Sequence, residues 1–90
     1  MIMEKFVHLL QEKYFTLEEM EILIVPFGLL SQKDQKFVYE AFRKKPIFLY
    51  KISKMFQKQG RPLQETDALR MKQFLEQGGA LMTSAQEIME

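Results

Sequence analysis

Three prolines and four glycines decide how this 90-residue chain can fold, because they fall between segments that otherwise read as helix. Pro26 with Gly28, Pro46, Gly60 with Pro62, and Gly78 with Gly79 make four breaks. Proline inside a helix removes a backbone donor and clashes with the preceding turn. Glycine just past a helix end takes the left-handed conformation at little cost. Short helices joined by tight corners are therefore expected, and they pack as an all-α, compact orthogonal bundle of about five members. No sustained alternation and no Asn-Gly or Asp-Gly turn argues for a strand.

Each segment has a helical pattern of its own. In residues 2–13, Ile2, Phe6, Leu9 and Leu10 recur at i, i+4, i+7 and i+8. The single histidine, His8, shares the opposite side with Glu4, Gln11 and Glu12, and reads as a solvated residue. The next helix opens at Thr16, where Thr16-Leu17-Glu18-Glu19 fits a capping box. Its apolar face is Leu17, Met20, Leu23, Ile24 and Phe27, and Pro26 predicts a stop or kink near Ile24. Ser31 caps a third helix with Phe37, Val38, Ala41 and Phe42 inward, which must end before Pro46.

The fourth segment, 46–59, is the densest in aromatic and cationic residues and is expected to be the centre of the core. At about 100° per residue, Phe48, Leu49, Ile52, Met55 and Phe56 share one side. Lys51, Lys54 and Lys58 form a stripe on another side, bordered by Tyr50. A fifth helix starts at 64 or 67, with Thr66 as another candidate cap, and runs to 77. It turns Ala68, Met71, Phe74 and Leu75 inward. A short helix over 84–90 completes the pattern, marginal without tertiary contacts.

Charge is where function enters. Net charge is +1, yet residues 1–30 carry −3, residues 31–62 carry +7 and residues 63–90 carry −3. Either the acidic ends neutralise the basic middle, or the middle meets an anionic partner. The candidate anion-binding residues are Arg43, Lys44, Lys45, Tyr50, Lys51, Lys54, Lys58 and Arg61. Nucleic-acid binding through that basic helix is the alternative function. It is weakened because arginine makes most base-specific contacts and the stripe holds only lysine. Positive patches broken up by Glu18, Glu21 or Glu76 would favour a protein partner, and a continuous positive face would favour nucleic acid.

The catalytic stock is small. With no cysteine and one histidine, thiolate chemistry and thiolate metal sites are excluded, and no phosphate-binding or metalloprotease motif is present. No cofactor and no enzymatic activity are expected. Seven methionines and eight phenylalanines fill a core or an adaptable groove. No basic leader followed by an apolar run is seen, and no stretch is long enough to span a membrane, so a soluble cytoplasmic protein is expected. The primary expectation is a non-enzymatic protein-interaction module, binding another protein or itself as a homo-oligomer. Ile22, Val25 and Phe27 are its candidate interface, because apolar residues there surround a helix end.

Overall fold

The structure, a computed structural model, describes residues 1–60 and 62–78. They form five helices: α1 (Ile2–Glu12), α2 (Leu17–Gly28), α3 (Gln32–Lys44), α4 (Ile47–Gln59) and α5 (Glu65–Glu76). No strand occurs among the described residues, and the helices pack on one another as a compact all-α bundle. The helix expected over 84–90 lies outside the described residues, as does Arg61.

Local chemistry explains the element boundaries. α1 closes with paired bonds from the Tyr14 N–H to the Gln11 carbonyl (3.1 Å) and from the Phe15 N–H to the Leu10 carbonyl (3.2 Å). That is a Schellman closure, in which the residue past the cap is left-handed and the next one packs back on the helix. Tyr14 holds φ 63°, and Phe15 and Leu10 are both buried. α2 opens with the expected capping box: Glu19 N–H donates to Thr16 Oγ1 (3.2 Å) and Thr16 N–H donates to Glu19 Oε1 (2.9 Å). Ser31 Oγ accepts from the Asp34 N–H at 3.2 Å to start α3. Gly60 ends α4 at φ 65°.

Of the stop or kink expected near Ile24, the stop does not occur. The helix runs on to Gly28, with Pro26 buried inside it. Proline is missing only one donor, and it stands a single turn from the helix end. Bonds from Leu29 N–H to the Pro26 carbonyl (3.1 Å) and from Leu30 N–H to the Phe27 carbonyl (3.2 Å) finish that turn. The Gln35 side-chain amide donates to the Phe27 carbonyl as well, at 3.1 Å. Continuing the helix aligns Leu23 and Phe27, both fully buried, and their burial offsets the lost bond.

The centre of the core is also elsewhere than expected. Phe48 and Ile52 of α4 are buried, but α4 packs chiefly on α2 and α3. Those two helices each touch all four others, so they form the hub. At the hub Phe6 of α1 stacks on Phe27 of α2, ring centroids 4.0 Å apart, and on Phe42 of α3 at 6.0 Å. Phe48 meets Phe74 of α5 edge-on at 5.3 Å.

Two further expectations fail at helix faces. Phe37 is 40% exposed, not inward, and Leu17 is 83% exposed. α3 turns Val38 and Phe42 to the core with Tyr39 and Ala41 at the flanks. That places Phe37 roughly 120° round the helix from the core line. Leu17 is the first residue of α2, and no neighbouring helix covers it there.

α5 is capped at Gln64, the first of the expected starts, and not at Thr66; the Gln64 N–H donates to the carboxylate of Asp67 (2.8 Å). Asp67 is completely buried, with Arg70 3.4 Å away. Asp67→Ala leaves the Gln64 donor without that acceptor, and we expect a loss of about 2 kcal/mol in a urea titration. A loss indistinguishable from zero would show that the carboxylate has no part in starting α5.

Candidate protein-interaction surface

The seven described candidate anion-binding residues separate in space. Lys51, Lys54 and Lys58 are exposed along α4, and none forms an ion pair within 4 Å among the described residues. Arg43 is committed to Glu40: its Nη2 donates to Oε2 at 2.8 Å. This hydrogen bond holds the Glu40 carboxyl below its ordinary range and raises Arg43. The pair's contribution is thus present above the ordinary carboxylate pKa and is lost as pH falls through the lowered value. Arg43 also faces α1, where it lines an open cleft with Glu4, His8 and Tyr39. Lys44 is exposed, and Lys45 Nζ lies 5.8 Å over the Phe48 ring. Arg61 is outside the described residues.

Tyr50 joins the stripe to a distant part of the chain. Its hydroxyl donates to the Lys13 carbonyl at 3.2 Å, across 37 positions of sequence. Its ring stacks on Phe15 with centroids 4.9 Å apart. The exposed side of α4 is therefore fixed beside the corner between α1 and α2. At that corner Tyr14 is 93% exposed and Leu17 is 83% exposed, while Glu18 and Glu21 lie exposed on α2. Together these make an apolar and aromatic knuckle with cations on α4 and anions on α2.

Tyr14 and Leu17 were not among the site residues expected from sequence. A signal for Tyr14 was there: it follows a helical run at the position where glycine or asparagine is usual, just before an apolar residue that packs back. Leu17 carried no such signal, since its periodic position matched the buried side of α2.

The expected interface at 22–27 is only partly on the surface. Phe27 is fully buried and stacked on Phe6, so it is core and not interface. Ile22 is half-buried, whereas Val25 is 43% exposed. Part of the apolar surplus that suggested an interface is absorbed because α2 touches all four other helices.

The cleft between α1 and α3 has a volume of about 380 Å³ and is lined by exposed Glu4, His8 and Glu12 with half-buried Tyr39. No group of three or more His, Asp or Glu able to hold a metal occurs among the described residues. No described helix is long and apolar enough to cross a membrane. No protein-family model matches the chain, and no curated protein or solved structure is significantly similar to it.

Proposed function

We propose that this chain is a non-enzymatic protein-interaction module whose contact surface is the corner of Tyr14, Leu17 and Tyr50 with the adjoining lysines of α4. The observation that carries this reading is Tyr14. Its backbone is held at φ 63°, where a glycine would sit without strain, and its ring is 93% exposed. A ring in water adds nothing to the core, so its place is explained by something that docks there. Tyrosine is enriched among the residues that dominate protein interfaces, because it brings large apolar area at small entropic cost.

The reading predicts a site-specific contact. A photoreactive benzoylphenylalanine replacing Leu17 should give discrete protein adducts in the cells that make this chain, and one replacing the exposed Gln73 of α5 should not. The adducts should vanish when Lys51, Lys54 and Lys58 are all changed to glutamate. Identical patterns from both positions, or none from either, would discard the module.

A second reading is favoured by the unpaired lysines alone: a single strand of nucleic acid, its phosphates on the stripe and its bases on the tyrosines. Glu18 and Glu21 are exposed on the first turns of α2, directly after the corner, and their negative charge weighs against it. We expect no retention of single-stranded DNA or RNA on a filter at physiological salt. Micromolar, salt-sensitive retention, lost in the triple glutamate variant, would reverse the order of the two readings.

A further inference from the structure

The corner carries both signs of charge around an apolar centre, and this restricts what fits it. A stripe of lysines alone suits any anion. A patch with a basic part on α4 and an acidic part on α2 complements itself after a half-turn, since in a two-fold interface residue i meets j and j meets i. We propose that the occupant of this corner is a second copy of this chain. Tyr14 and Leu17 of the two copies pack about the axis, and Glu18 and Glu21 of each copy face Lys54 and Lys58 of the other. The proposal rests on the protein-interaction reading and names the partner.

Three observations support a second copy over an unrelated acidic partner. Lys54 and Lys58 find no carboxylate within 4 Å among the described residues of their own chain, and Glu18 and Glu21, exposed one and four residues past Leu17, are equally without an ion pair there. Each set of charges is thus free to answer the other's in a neighbouring copy. The whole chain carries only +1, so two copies approach without net repulsion worth the name. Finally, Leu17 precedes Glu18 directly, and Tyr50, bonded to the Lys13 carbonyl just before Tyr14, begins the i, i+4, i+8 line to Lys54 and Lys58, which puts the apolar contact between the two charged parts, where interface cores exclude water. The contact is small and rimmed by charge, so it is weak and sensitive to salt.

Sedimentation equilibrium on the full chain tests this. A monomer–dimer equilibrium is expected below about 1 mM, shifting to monomer as salt shortens the screening length to about 3 Å near 1 M. Tyr14→Gly relieves the left-handed strain and removes the ring. At a concentration where both proteins are monomeric it should melt several degrees higher than the parent, yet dimerise at least tenfold more weakly (about 1.4 kcal/mol). The decisive arm uses charge reversal. Lys54→Glu with Lys58→Glu should be monomeric, and so should Glu18→Lys with Glu21→Lys. An equimolar mixture of the two should form a heterodimer, because every facing pair is again of opposite sign. Circular dichroism checks that each variant keeps its helices.

A parent chain monomeric at every concentration and salt overturns the second-copy proposal, as does a mixture that fails to pair. If the parent is monomeric but benzoylphenylalanine at position 17 still captures a different protein, the module stands and only the partner was wrong. If it captures nothing, both fall.

Discussion

Phe27→Ala should remove a large part of this protein's stability. Phe27 is fully buried in α2 and stacks on Phe6 with ring centroids 4.0 Å apart. Truncating a core phenylalanine costs about 3–5 kcal/mol, because the transfer energy is lost and the cavity collapses only in part. A chain of 90 residues has roughly 5–13 kcal/mol in total, by the usual range per residue. The loss also weakens the Phe6–Phe42 contact, since the three rings form one stack across α1, α2 and α3. The urea midpoint should fall by about a quarter or more, at an unchanged slope. A loss under about 1 kcal/mol would return Phe27 to the candidate interface instead of the core.

Ile52→Ala is expected to cost about 2–5 kcal/mol, with Phe37→Ala as its control at under about 1. Ile52 is 1% exposed, on the side of α4 that packs on α2 and α3, whereas Phe37 is 40% exposed. Equilibrium urea unfolding of both variants separates two views of the bundle. In the structure, the smaller side chain matters more, because burial decides the cost and not hydrophobicity alone. Equal losses, or a larger one at Phe37, would mean that α3 is rotated so that Phe37 faces inward as its periodicity first suggested.

Stability and binding are set at different places in this molecule. Phe27 and Ile52 hold the bundle and reach no surface. Tyr14 does the reverse: it costs the monomer backbone strain and presents its ring outward. This separation is what allows the charge-reversal and Tyr14→Gly variants to keep their fold while losing their contact.

The local structure was legible in the chain. Thr16 with Glu19, Ser31, Pro46 and Gly60 act within a few residues of themselves, through one hydrogen bond or one fixed dihedral. Their effect follows from residue type and spacing. The inward faces of α4 and α5 were legible for a related reason: their apolar residues form one clear stripe each. The lysine stripe on α4 was legible too, as the remainder of that wheel.

What sequence could not decide was which of two apolar neighbours wins a place in the core, and what lies beside the stripe. Phe37 and Tyr39 flank Val38 almost symmetrically, and only the packing of α3 on α1 chose Tyr39. Pro26 looks like a stop until α2 is seen to be surrounded by four helices, where burying Phe27 outweighs one missing bond. The corner of Tyr14, Leu17 and Tyr50 depends on a bond between residues 37 positions apart. Sequence alone fixed an all-α chain, its caps, its breaks and its basic stripe, because those are properties of residues a turn or two apart. Tertiary structure alone put α2 and α3 at the centre and set an exposed tyrosine beside that stripe, because burial depends on which helices meet.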